Sequence, residues 1–241
     1  AAQLTACATQ WHCSLPRTCR PKGPSLYMAL KVGATCVQYH DDDSLGAILA
    51  LISLIPYLQA LWPVIIAYYT RHMRWVAIVV GFVLNEALAQ GLKKALRHPR
   101  PEGTCADLQL CHSYGMPSSH AQTAAFAAAL RLCFLTSMHS RGSYKNAKVV
   151  KGLMMWGVLE VLVLVCVLCL VAISRVRLGY HSFDQVVVGC CVGGVAAVSW
   201  CALLRLSCFK HMLSYIPVTI IGRVLMLTNE GEEGKEENKN E

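Results

Sequence analysis

The sequence predicts an all-α protein, a polytopic transmembrane helix bundle of about five or six spans. Three observations lead there. The 241 residues are 55% hydrophobic and only 15% charged, with a mean hydropathy of +0.43, more apolar sequence than a soluble domain of this size needs. The apolar residues gather in runs long enough to cross a bilayer. The positive residues stand in short loops between those runs. No basic stripe interleaved with aromatics accompanies the net charge of +8, so no nucleic-acid partner is predicted.

Residues 1–43 are mixed and mostly polar, contain Pro16, Pro21 and Pro24, and close on Asp41-Asp42-Asp43, the pattern of a loosely ordered N-terminal arm. A membrane-embedded domain is expected over residues 44–228, and a disordered charged tail over residues 229–241, which are rich in Glu, Lys and Asn. The first span is Leu45 to Tyr69, interrupted by Pro56 and Pro63, which neighbouring helices can tolerate. After a basic turn (Arg71, His72, Arg74) the second span runs from Met73 to about Leu92 and carries Glu86, an ionisable group at membrane depth. Glu86, Gln90, Lys93 and Arg97 fall at helical spacing on one face, which suits a polar stripe leading to a site and a helix-packing contact equally well. Pro99 and Pro101 stop that helix.

The third span is about Ala121 to Ser137, the fourth Gly152 to Ile173, and the fifth ends near Leu206. Gly189 and Gly193, one turn apart in the fifth, permit close helix contact. Residues 211–228 are apolar but broken by Pro217 and Arg223, compatible with a sixth span or an interfacial helix. Of the thirteen cysteines, Cys133, Cys166, Cys169, Cys190, Cys191 and Cys201 lie in apolar runs, where cysteine acts as a small hydrophobe. Cys166-x2-Cys169 lacks the partner ligands zinc would need. Cys105 and Cys111 suit a disulfide or free thiols alike.

Counting alternations places residues 93–101, 115–120 and 174–185 on one side of the membrane. Arg71, Arg74, Arg141, Lys145, Lys148, Lys151 and Lys210 fall on the other, which the positive-inside rule makes cytosolic. Arg17, Arg20 and Lys22 oppose that assignment. Lys93, Arg100 and Arg175 also run against the bias, which fits a functional use for them.

The stretch Gly115-Met116-Pro117-Ser118-Ser119-His120 sits just ahead of the third apolar run. Ser119 and Gln122 have capping-box spacing, which predicts a helix start with His120 in the first turn. Unpaired N–H groups there suit an anion. Two further stretches stand at the same face: Lys93-x6-Arg100-Pro101 and Ser174-Arg175-x5-His181. A phosphoryl group in transfer spreads charge over its equatorial oxygens, so positioning and electrostatics do most of the work. Lys93, Arg100 and Arg175 supply cations, Ser118 and Ser119 supply hydroxyls, and His120 and His181 supply two imidazoles able to act as nucleophile or proton carrier. No carboxylate cluster accompanies them, so no metal or other cofactor is predicted.

These three stretches, in this order, resemble the signature of the type 2 phosphatidic acid phosphatase superfamily, and over roughly residues 36–200 the chain is similar to its dolichyldiphosphatase branch. Asn85-Glu86, the run Tyr114 to Gln122, Ser174-Arg175-Val176, Tyr180-His181 and Gln185 carry the closer likeness. The resemblance implies that His181 attacks the terminal phosphorus to form a phosphohistidine, and that His120 protonates the leaving oxygen and then activates water. Lys93, Arg100, Ser118, Ser119 and Arg175 would bind phosphate.

Two positions depart from the broad superfamily. Ser119 replaces a glycine, and Gln185 replaces the acid four residues after the histidine, though the closer branch shares both. Gln185 is expected to orient His181 through its amide oxygen. Adjacent Asp184 is the lesser alternative, because one residue is about 100° around a helix. The implied substrate is dolichyl diphosphate or a related polyprenyl lipid, cleaved to dolichyl phosphate and inorganic phosphate at the lumenal face of the endoplasmic reticulum membrane, recycling the carrier for protein N-glycosylation. The rivals are a lipid phosphatase of other specificity, acting on other polyprenyl diphosphates or on phosphatidate, and a catalytically silent lipid-binding scaffold.

Overall fold

A computed structural model describes residues 27–32, 35–40, 43–101, 113–140 and 147–206. The fold is a helix bundle. Its elements are β1 (Tyr27–Val32), β2 (Thr35–His40), α1 (Ser44–Ile52), α2 (Ile55–Thr70), α3 (Met73–Leu96), α4 (Ser119–Ser140), α5 (Ala147–Arg177) and α6 (Phe183–Arg205). Where a loosely ordered arm was expected, β1 and β2 pair as an antiparallel hairpin, with Tyr27 opposite His40 and Val32 opposite Thr35. The pair Cys105 and Cys111, residues 211–228 and the charged tail lie outside the described residues.

Among the described residues, four stretches are long and apolar enough to cross a membrane: Ser44–Thr70, Met73–Leu96, Met155–Arg177 and Phe183–Arg205. The first is α1 and α2 end to end. They adjoin at Ser53 and Leu54, Pro56 stands in the first turn of α2, and Ser53 donates its hydroxyl to Ala50 O at 2.7 Å. Pro63 continues inside α2, buried.

Helix α4 lies at the centre of the bundle, and small residues let it sit there. Ala121, Ala124, Ala125 and Ala128 are buried beside Phe126 and Leu130. The core joins Ile78 and Phe82 of α3, Phe126 and Leu130 of α4, and Ala197 and Cys201 of α6. Phe82 and Phe126 meet edge to face, with centroids 5.1 Å apart. The close contact expected at Gly189 and Gly193 is present: a Cβ at Gly189 would fall 2.6 Å from Ser118 O, and one at Gly193 would run into Gln122 O. Helix α6 thus packs directly on the backbone at the start of α4.

The stripe Glu86, Gln90, Lys93, Arg97 does not act as one unit. The buried face of α3 carries Ala77, Ile78, Gly81, Phe82, Asn85 and Ala89 instead. Glu86 and Gln90 are exposed and hydrogen-bonded to each other at 2.5 Å, and Arg97 turns back onto Lys94 O at 3.2 Å. Lys93 alone of the four reaches across to α4.

Candidate active site

The end of α3, the start of α4 and the turn between α5 and α6 meet at one end of the bundle. Each is shaped by local sequence. Helix α5 runs on past the expected span to Arg177, so Ser174 and Arg175 occupy its last turns. Gly179 then takes a φ of +71°, a left-handed conformation that suits glycine at a helix exit. The N–H groups of Tyr180 and His181 both donate to Arg175 O, at 3.1 and 3.2 Å. The chain therefore folds His181 back beside Arg175, which is what five intervening residues provide. The guanidinium of Arg175 lies over the Tyr180 ring, 4.1 Å from its centroid.

The cations come from two elements and a loop. Lys93 Nζ donates to Ser119 Oγ at 3.0 Å. Arg100, just past the helix stop, donates from Nε to Ser113 Oγ at 2.8 Å and from Nη1 to Tyr180 O at 2.7 Å. Its Nη1 also stands 3.5 Å from His181 Nε2.

The imidazole of His181 is fixed from behind. Its Nδ1 is 2.9 Å from Gly115 O and 3.3 Å from Gln185 Oε1. Both oxygens only accept, so Nδ1 carries the proton and Nε2 keeps its lone pair on the side of Arg100. The Gln185 amide is itself oriented without ambiguity. Ser182 N–H donates to its Oε1 at 3.2 Å, while its Nε2 donates to Pro99 O at 2.7 Å and faces His98 Nδ1 at 3.1 Å. Gly115 is required by this closeness, because a Cβ there would run into the Gln185 amide. Its N–H donates to His98 O at 2.8 Å, so one glutamine and one glycine tie all three segments together. Asp184 is exposed.

The capping box falls elsewhere than at Ser119 and Gln122. Ser119 is the first residue of α4, and Gln122 N–H bonds to Ser118 O at 2.9 Å. The Gln122 side chain instead crosses to α3 and donates to Asn85 O at 2.8 Å and Asn85 Oδ1 at 3.0 Å. In an apolar interior, a buried amide is held by whatever partner the neighbouring helix offers. The reciprocal box forms at Ser182 and Gln185.

Three cations and two imidazoles surround this space. Burial pushes the pKa of the His181 imidazole well below the ordinary histidine range, and the charges of Arg175, Arg100 and Lys93 push the same way, against the hydrogen bond that His181 donates to Gln185. His181 is therefore a neutral base at neutral pH. His120, in the first turn of α4, lies within range of the charges of Arg175, His181, Lys93 and Arg100, and meets the ring of Tyr57 edge-on with centroids 5.2 Å apart. Arg175 Nε and Ser118 Oγ are buried without a hydrogen-bond partner among the described residues. Unsatisfied donors beside gathered positive charge suit a bound oxyanion.

Every residue that the sequence singled out for this site is thus brought to one place: Lys93, Arg100, Ser118, Ser119, His120, Arg175, His181 and Gln185. Sequence reasoning missed the carbonyl of Gly115, the amide's partners His98 and Pro99, and Tyr57. The Ser182-x-x-Gln185 spacing was a readable signal, whereas the rest depends on tertiary approach.

The family model described as PAP2 superfamily matches residues 74–208. Human "Dolichyldiphosphatase 1" is 32% identical over 194 residues, covering 80% of this chain and 75% of the relative. "Lipid phosphate phosphatase gamma" of Arabidopsis thaliana is 30% identical over 199 residues, covering 80% and 81%. "Dolichyldiphosphatase" of Saccharomyces cerevisiae is 32% identical over 171 residues, covering 67% and 64%. No solved structure matches the chain significantly.

Proposed function

The chain belongs to the PAP2 superfamily, and from that premise we propose that it is a multi-pass membrane phosphatase that hydrolyses dolichyl diphosphate to dolichyl phosphate and inorganic phosphate through a phosphohistidine. The observation that carries the mechanism is the fixed tautomer of His181. Gly115 O holds the proton on Nδ1 and leaves the Nε2 lone pair beside Arg100. The dolichyldiphosphatase names of several relatives support the substrate.

In the first half-reaction His181 Nε2 forms a bond to the terminal phosphorus. The bond from that phosphorus to the bridging oxygen breaks, and its electron pair leaves with the lipid phosphate, which takes a proton from His120. Arg100, Arg175 and Lys93 hold the equatorial oxygens, with Ser118, Ser119 and the N–H groups of α4 adding donors. In the second half-reaction water gives its proton to His120 and attacks phosphorus. The P–N bond breaks, and His181 regains its lone pair. Gln185 orients His181 throughout. The charge is carried by side chains, so the reading needs no metal, and full activity in excess chelator is expected.

The loop charges favour an active site facing away from the cytosol. Together with the proposed substrate, this supports a reading in which the protein works in the endoplasmic reticulum membrane with its site in the lumen, returning carrier lipid to protein N-glycosylation. The test is phosphate release by the detergent-solubilised protein from dolichyl diphosphate, dolichyl monophosphate and phosphatidate, with His181→Ala as control. Preferential, His181-dependent release from the diphosphate is expected. Equal release from all three would return the protein to the general lipid phosphatases, and no release by folded protein would leave a silent scaffold.

A further inference from the structure

Helix α2 contributes nothing to the three motif stretches, yet one of its side chains stands in the site. The Tyr57 ring meets His120 edge-on, with centroids 5.2 Å apart and an interplanar angle of 89°. The residue remains 49% exposed, so the contact does not bury it. It also lies within range of the charges of Arg175 and Glu86.

The reaction's direction gives this position a meaning. In-line displacement requires the leaving oxygen opposite the attacking atom. His181 Nε2 stands on the side of Arg100, and in the mechanism proposed above His120 protonates the leaving oxygen, so the leaving group departs on the side of His120. Arg100 is committed to the His181 side through Tyr180 O and Ser113. A diphosphate ester differs from a monophosphate ester on the leaving side alone, where it carries a second phosphate with anionic oxygens of its own. The side chain touching His120 from outside the motifs is a phenol, a neutral hydrogen-bond donor on a rigid ring.

We infer that Tyr57 is a specificity residue, donating its hydroxyl to the leaving phosphate of the substrate and so favouring diphosphate over monophosphate lipids. This rests on the diphosphatase reading above. A neutral donor suits a place where Glu86 is also near, since it serves the anion without forming an ion pair with that carboxylate.

The experiment compares wild type and Tyr57→Phe on dolichyl diphosphate and dolichyl monophosphate, measuring kcat and KM for each, with Tyr57→Leu as a third arm. Phenylalanine keeps the ring against His120 and removes only the hydroxyl. A lost hydrogen bond to a charged group corresponds to roughly tenfold or more, so kcat/KM on the diphosphate falls about tenfold in Tyr57→Phe while that on the monophosphate stays within about twofold. A diphosphate-to-monophosphate ratio equal to wild type in Tyr57→Phe overturns the inference. So does an equal loss on both substrates, because that is the mark of a wall for His120. The wild-type arm separates this from the underlying reading. A wild type without diphosphate preference removes the substrate assignment, whereas a wild type with the preference and an unchanged Tyr57→Phe ratio removes only the role of Tyr57.

Discussion

The two ends of helix α4 treat charge in opposite ways. At its first turn, Arg175 is 3% exposed with Nε unpartnered among the described residues, and Lys93 and Arg100 stand near it. Further along the same helix, Arg131 meets Glu160 of α5 at 2.7 Å, and both side chains are partly exposed. Among the described residues, one end gathers like charges without a paired carboxylate, and the other neutralises a charge as soon as it appears. Burying uncompensated charge costs stability, so its presence beside two histidines marks the place where an anion completes the structure. The difference separates function from fold on a single helix, and it can be broken by substitution.

The largest expected effect is at the uncompensated end. Arg175→Leu should lower kcat/KM by about a hundredfold or more, the scale for losing one preorganised donor to a transition-state oxyanion, while leaving the melting temperature unchanged or higher. A large drop in melting temperature with activity retained would erase the contrast. Next is Gln185→Leu, which frees the His181 ring and leaves Pro99 O, His98 and Ser182 N–H without this partner. Misplacing a reacting group by about 1 Å can cost about a hundredfold, so kcat should fall on that scale with little change in KM.

A smaller effect is expected in pH dependence. His181 acts when neutral, and burial plus the surrounding cations lower its pKa well below 6.5. As pH falls, the free enzyme should keep a neutral His181 until well below 6.5, so the acid limb of kcat/KM lies there. Arg100→Leu removes one depressing charge and should move that limb to higher pH. A limb that moves lower, or stays fixed, would contradict the electrostatic account. The smallest effect on activity belongs to the paired end. Glu160→Gln strips Arg131 of its carboxylate and should cost about 1 kcal/mol of stability or less, the scale of a partly exposed ion pair, with kcat/KM of the remaining folded protein unchanged.

Much of this was legible in sequence because both membrane and phosphate impose strong local patterns. Apolar runs gave four of the expected spans, and the two glycines of α6 gave its contact with α4. The eight site residues are spaced so that helix ends must bring them to one face. What escaped was set by approach between distant segments. Gly115 O meets His181 because Gly115 lies against Gln185 with no side chain between. Gln122 bonds Asn85 rather than closing a local cap, because the buried face of α3 offers it a carbonyl and an amide oxygen. Tyr57 reaches His120 from a helix whose sequence reads as plain membrane span.

The central claim is that His181 becomes the covalent carrier of phosphate. It is tested most directly by mixing dolichyl diphosphate, radiolabelled on its terminal phosphate, with the wild-type protein, quenching within a single turnover and mapping the label. The account predicts an acid-labile, base-stable label on the peptide containing His181, absent from the His181→Ala variant. A label on another residue, or wild-type turnover by His181→Ala, would contradict it.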